Sequence, residues 1–73
     1  MEGNSMFTTL AESTINGQKV WKHLLSTPIG NIYVVQYEVK TEHNILTFLF
    51  EEDLGAAERK YKQLIRGITS GKL

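Results

Sequence analysis

The chain has 73 residues, of which 41% are hydrophobic, with eight basic and eight acidic side chains and no cysteine. This length predicts one domain, residues 6–73, preceded by a disordered polar segment at residues 1–5. The balanced charge argues against a strong nucleic-acid binder, and the missing cysteines exclude disulfides and thiolate zinc sites. A domain this small buries only about 60% of its unfolded surface, which leaves oligomerisation as a source of added stability.

Location is predicted from two features of the composition. No run of about 18 apolar residues is present, so no membrane span is expected. The first residues, "MEGNSMF", lack the charged and apolar parts of a secretory signal. Together with the lack of cysteine, these features predict a cytoplasmic protein with no membrane contact.

The dipeptide Asn16-Gly17 is the strongest turn signal of the first half. Asn-Gly suits a type I′ turn, which has positive φ at both central residues and matches the twist of paired strands. The flanking segments, "FTTLAESTI" and "QKVWKHLL", are rich in residues that favour strands. A helix that stops at Asn-Gly is the alternative, since one helical face would carry Phe7, Leu10, Ala11 and Thr14.

A second hairpin is predicted at "STPIGN". Pro28 has the φ required at the second position of a type I turn, and Gly30 suits the left-handed position that follows. These residues predict a three-residue loop. The pairs that this loop implies are Thr27 with Asn31, Leu25 with Tyr33, His23 with Val35 and Trp21 with Tyr37.

The segments "NIYVVQYEVK" and "ILTFLF" are predicted to form the third and fourth strands. Alternation puts bulky apolar residues on one face of each strand, and matching those faces sets the register. The predicted pairs are Val39 with Leu46, Tyr37 with Phe48 and Val35 with Phe50. The opposite face then carries Ile32, Val34, Gln36, Glu38, Thr47 and Leu49.

A C-terminal helix is predicted from Leu54 onward. Asp53 suits its N-cap, and either Gly67 or Gly71 ends it. Apolar residues recur at helical spacing up to Ile68. This stripe should pack on the aromatic face of the sheet, formed by Trp21, Tyr33, Tyr37, Phe48 and Phe50.

The predicted fold class is therefore α+β, a β-β-β-β-α arrangement with a four-stranded antiparallel meander and one helix on one face. In a meander the fourth strand lies at the sheet edge, and here that strand is the most apolar. An exposed apolar edge favours pairing with another chain. We therefore predict a homodimer through the Ile45–Phe50 edge strand, or else a different protein partner.

No catalytic, metal or cofactor site is predicted, and the chain is not expected to be an enzyme. Glu51, Glu52 and Asp53 could serve acid-base chemistry or bind a hard cation, but helix capping and solubility explain them. His23 and His43 lie on different predicted elements, His23 in a strand and His43 in a turn. Neither has a nucleophile or an orienting partner that the sequence identifies.

Two groups of residues are predicted to bind a partner. Arg59, Lys62 and Arg66 recur at i, i+3 and i+7 and form a basic stripe on the outer side of the helix, suited to phosphates or to an acidic protein. A simply solvated helix face is the alternative. The second group lies on the edge strand and comprises Ile45, Thr47 and Leu49.

The favoured functional hypothesis is a small non-enzymatic protein–protein interaction module with a regulatory role, of the adaptor or inhibitor type, acting as a homodimer. The alternative is a single-stranded nucleic-acid-binding domain, because several such binders use a four-stranded sheet followed by a helix. Analogy of fold is weak evidence of function. Nucleic acid ranks below protein because the sheet face away from the helix lacks the aromatic and basic residues that a binder needs.

Overall fold

The computed structural model describes residues 4–73 and confirms the predicted α+β meander with a C-terminal helix. Its elements are β1 (Met6–Ile15), β2 (Gln18–Thr27), β3 (Gly30–Glu38), β4 (Ile45–Glu51) and α1 (Leu54–Thr69). The strands are antiparallel and lie in the order β1-β2-β3-β4. Of the segment predicted to be disordered, residues 1–3 lie outside the described residues, and residues 4–5 precede β1.

The first hairpin forms as predicted. Asn16 and Gly17 have φ angles of 52° and 81°, the positive pair that a type I′ turn requires. They connect Ile15 to Gln18, which face each other across the first strand pair. The strand interpretation of this region is therefore correct, and the helical alternative is wrong.

The second hairpin loop is one residue shorter than predicted. Thr27 pairs with Gly30, so only Pro28 and Ile29 lie in the loop. The Thr27 hydroxyl donates to the Gly30 carbonyl (2.7 Å) and accepts from the Ile29 N–H (3.3 Å), which closes the shorter turn. Gly30 begins β3 at φ 151°, a conformation that favours glycine.

This one-residue change reverses the faces of β2 relative to the prediction. Val20, not Trp21, lies opposite Tyr37, and Val20 is fully buried in the core. Trp21 pairs with Gln36 and points away from the helix, because successive side chains of a strand alternate. The predicted place of Trp21 under the helix is therefore wrong. The other four predicted aromatics do pack in or against the core: Tyr33, Tyr37, Phe48 and Phe50.

The β3–β4 register is shifted by two residues from the predicted one. Val39 donates its N–H to the Asn44 carbonyl (2.8 Å), so the turn comprises residues 40–43, with His43 at a positive φ of 56°. An even shift keeps every side chain on its predicted face. The observed pairs are Tyr37 with Leu46, Val35 with Phe48 and Tyr33 with Phe50.

The helix begins and ends on local signals. Asp53 is the N-cap, and its Oδ1 accepts from the Ala56 N–H at 3.0 Å. Gly71, at φ 82°, follows the helix, and the Lys72 N–H donates back to the Gly67 carbonyl (2.9 Å), as in a Schellman motif. The buried residues of the helix and of the sheet beneath it are Ala57, Leu64, Ile68, Val20, Val35 and Tyr37.

We expect Asp53→Ala to lower the free energy of unfolding by about 1 kcal/mol, because the Ala56 N–H loses its acceptor. Asp53→Asn should change stability by only a few tenths of a kcal/mol, since asparagine is as good a cap. Urea denaturation of the two variants measures the difference. Equal losses in both would show that the cap hydrogen bond contributes nothing.

Candidate functional site

The six predicted partner-binding residues lie on two different sides of the molecule. Ile45, Thr47 and Leu49 are on the β4 face that points away from α1, because their neighbour Phe48 packs against the core. The basic stripe lies on the helix side. The two groups therefore form two separate surfaces that meet only at β4.

The first surface is the sheet face away from α1, called here the open face. Its apolar half lies toward the Pro28 loop. The alternation and the strand pairing assign to this half Phe7, Leu25, Ile32, Val34 and Leu49, with Glu51 at its end opposite Ile32. Trp21 lies on the same face but in the other half, opposite Gln36.

Apolar exposure on the open face extends from one sheet edge to the other. On β1, Phe7 is 59% exposed, and on β4 Leu49 and Ile45 are 64% and 51% exposed. Between them Trp21 is half-buried, and Val34 is buried. Exposed apolar side chains in this number on one face of a small domain are typical of an interaction surface.

A row of hydrogen-bonded side chains, the polar row, crosses all four strands of the open face. The Gln36 amide donates from Nε2 to Thr47 Oγ1 (3.1 Å), so its Oε1 faces His23. His23 Nε2 donates to that oxygen (3.0 Å), and His23 Nδ1 is hydrogen-bonded to the Thr9 hydroxyl (3.0 Å).

His23 is the centre of the polar row. It is only 7% exposed, although it lies on the face that carries no helix. The Phe7 ring covers it, with ring centroids 4.6 Å apart. The sequence predicted a half-buried sheet histidine but not its partners, since Thr9 and Gln36 become neighbours only once the register is known.

The charged side chains at the Asn16-Gly17 end of the open face are compensated internally, whereas Glu51 at the other end forms no ion pair among the described residues. Among the described strand residues, Lys19 is the only basic one on this face. Its ammonium lies 3.8 Å from the Glu12 carboxylate, and its backbone N–H donates to Glu38 Oε1 (2.9 Å). The polar residues at this end therefore bind one another.

The second surface is a groove between α1 and β4, called here the cationic groove. Phe48 and Phe50, both half-buried, form its floor. The helix contributes Arg59, Lys60, Lys62 and Arg66. The predicted basic stripe thus lines a groove with an aromatic floor, and its three residues are exposed to solvent.

The helix-capping role predicted within the acidic cluster is confirmed for Asp53, and Glu52 has a structural role that was not predicted. Asp53 caps the helix, and the Glu52 carboxylate accepts from the Asn31 N–H at 2.8 Å. The Glu52 N–H also donates to the Asn31 carbonyl (2.9 Å), which joins the β4–α1 junction to the start of β3. Within residues 4–73, no group of three or more histidine, aspartate or glutamate side chains converges as metal ligands.

Comparison with known protein families, with curated proteins and with solved structures finds no match. In the described part of the chain, α1 is too short and too polar to cross a membrane. The surfaces themselves are therefore the basis for a functional proposal.

Proposed function

We propose that this chain is a small non-enzymatic protein–protein interaction module with a regulatory role, of the adaptor or inhibitor type, and that it acts as a homodimer. The apolar open face with its polar row carries the proposal. The two copies pack face to face over this surface. A cytoplasmic location is part of the proposal and is supported by the absence of cysteine.

The polar row suits a surface that becomes buried. Burying a polar group costs free energy unless it is hydrogen-bonded. Each side chain from Thr9 to Thr47 already has a partner within the row. Among the described residues, no buried side-chain nitrogen or oxygen lacks a hydrogen-bond partner. A second protein can therefore cover this face without leaving its polar centre unsatisfied.

A second copy of the chain fits this face because, among the described strand residues, the apolar half carries one charged side chain, Glu51, and that side chain lies at its end. A two-fold axis brings the same surface against itself, and like charges would repel across it. Here Lys19 and Glu12 already pair with each other. Four strands span about 19 Å, and strands of about nine residues run roughly 30 Å. These lengths give a face of roughly 570 Å², which is close to the 600 Å² or so per partner of the smaller protein–protein interfaces.

Face-to-face packing accounts for the exposed apolar residues of the open face better than edge-to-edge pairing of β4 does. Edge-to-edge pairing of β4 would leave Phe7 and Trp21, on the other half of the sheet, facing water. Face-to-face packing covers them together with Leu49 and Ile45. The predicted edge strand therefore takes part through its open-face side chains rather than through its backbone.

Leu49→Glu is expected to disrupt the dimer, because each copy would place an unpaired carboxylate in an apolar interface. The dissociation constant should rise roughly 30-fold or more. Leu46→Glu is the matched control on the same strand. Leu46 is 45% exposed and lies on the helix side, so its variant should dimerise normally. Sedimentation equilibrium over a range of concentrations measures both.

Two results would contradict the proposal. One is a monomer at every concentration of the unchanged protein. The other is equal weakening of the dimer by Leu49→Glu and Leu46→Glu, which would move the interface away from the open face. Circular dichroism of each variant checks that its fold is intact, since substitutions at exposed positions change stability by about 0.5 kcal/mol or less.

A further inference from the structure

Although the net charge of the chain is zero, most of its basic residues lie along one groove. A second cavity continues the cationic groove toward the C-terminus, and the two share Phe48, Lys60, Gln63 and Arg66. Among the described residues, no acidic side chain lines either cavity. Of the eight basic residues in the chain, five line this continuous groove: Arg59, Lys60, Lys62, Arg66 and Lys72.

The described residues provide no ion-pair partner for the cations of the groove. Within residues 4–73, the two ion pairs involve Lys19 and Lys22, and none of the five groove cations forms one. Lys60 instead places its ammonium over the Phe48 ring, 4.3 Å from the centroid. Its ammonium also donates to Gln63 Oε1 at 3.2 Å. Such concentrated positive charge attracts polyanions.

We infer that the cationic groove is a binding site for single-stranded nucleic acid. Phosphates would lie against the cations of the helix, and bases would stack on the half-buried Phe48 and Phe50 once Lys60 moves from its position over Phe48. This combination of basic side chains and aromatic platforms is what sequence-tolerant single-strand binders use. In this arrangement the groove would contact both the phosphate backbone and the bases of the nucleic acid.

Two other polyanions fit the groove less well. An acidic peptide would neutralise the cations but would leave the aromatic floor without a stacking partner. The bases of a duplex are paired and stacked on one another, so they cannot lie flat on Phe48. The helix of 16 residues is about 24 Å long, enough for roughly four nucleotides, which is the lower end of known site sizes.

This inference does not depend on the proposed homodimer. The groove lies on the helix side of the sheet, and the open face lies on the other side. A face-to-face dimer therefore carries two grooves on its outer surfaces. The Leu49→Glu variant should be monomeric and should still bind an oligonucleotide. This variant therefore distinguishes failure of the dimer proposal from failure of the nucleic-acid proposal.

Fluorescence anisotropy with labelled oligo(dT) and oligo(U) of about 12 nucleotides tests the inference. We expect both to bind, and binding should weaken about 20- to 50-fold between about 50 and 200 mM salt, as three or four phosphate contacts predict. The variant with Arg59→Gln, Lys62→Gln and Arg66→Gln should bind at least about 30-fold more weakly, with the salt slope reduced by about two.

Two matched variants locate the binding. Lys62→Gln and Lys40→Gln remove the same charge from exposed positions, but only Lys62 lines the groove. We expect Lys62→Gln to weaken binding about threefold and Lys40→Gln to leave it nearly unchanged.

Phe48→Leu keeps an apolar side chain of similar volume but removes the stacking surface, and it should weaken binding roughly tenfold.

The single tryptophan provides an independent check. Trp21 lies on the open face, so an oligonucleotide in the groove should not quench its emission. Strong quenching of Trp21 would place the nucleic acid on the open face and overturn the inference. Equal loss of binding in Lys62→Gln and Lys40→Gln would overturn it too, as would a polyglutamate peptide that competes as well as oligo(dT).

Discussion

Ile68→Ala is expected to lower the free energy of unfolding by roughly 3 kcal/mol. Ile68 is 1% exposed and packs in the core cluster with Val20, Val35 and Tyr37. Its truncation removes buried apolar surface and leaves a cavity between the helix and the sheet. Because a domain of this size is only marginally stable, much of the protein should be unfolded at moderate temperature.

The chain offers a matched control for this variant. Ile29, at the tip of the second hairpin, is 97% exposed, so Ile29→Ala removes the same atoms without opening a cavity. Its effect on stability should stay within about 0.5 kcal/mol. If Ile68→Ala is too unstable to measure, Ile68→Val should still cost about 1 kcal/mol. Equal urea midpoints for the Ile68 and Ile29 variants would show that α1 does not hold the sheet as described.

His23→Ala is expected to weaken both the single chain and the dimer. In the single chain the variant loses two hydrogen bonds and the packing of the Phe7 ring, at a cost of about 2 kcal/mol. In the dimer, the Gln36 oxygen would be buried without its donor. That further penalty should raise the dissociation constant about tenfold or more.

The second histidine serves as the control for His23. His43 is exposed in the turn between β3 and β4, at a φ of 56°. Asparagine tolerates this left-handed conformation better than alanine does, so His43→Asn is the suitable replacement. It should change neither urea stability nor the sedimentation profile. A His23→Ala dimer as tight as that of the unchanged protein would show that the polar row is not part of an interface.

The parts of the fold that depend on local signals could be predicted from the sequence. Asn16-Gly17 determines its own turn through backbone conformation. Asp53 caps the helix through a side chain three residues from its partner Ala56. Of the two glycines predicted as possible helix ends, Gly71 adopts the positive φ that follows the helix. In each case the relevant residues are adjacent or within one helical turn, so the chain order alone brings them together.

The parts that depend on distant contacts could not be predicted. Pro28 and Gly30 are compatible with either a two-residue or a three-residue loop. The shorter loop is fixed by the Thr27 hydroxyl and by Glu52, which holds Asn31 from more than twenty residues away. Because side chains alternate along a strand, a loop one residue shorter than predicted places Trp21 on the open face instead of in the core.

The two candidate surfaces differ in how far the sequence revealed them. Helical spacing alone identified Arg59, Lys62 and Arg66. The aromatic floor of the groove was hidden, because Phe48 joins those cations only when β4 lies beside α1. The polar row was hidden for a similar reason, since its four members come from four strands and no spacing along the chain connects them.

The emission of Trp21 during dilution tests most directly whether a second copy covers the open face. Trp21 is the only tryptophan of the chain and is half-buried on that face. As the dimer dissociates, Trp21 should become hydrated, and its emission should shift to longer wavelength in step with the fall in mass by sedimentation. An emission maximum that stays constant while the mass falls would place the dimer contact elsewhere, and a constant monomer mass would contradict the homodimer itself.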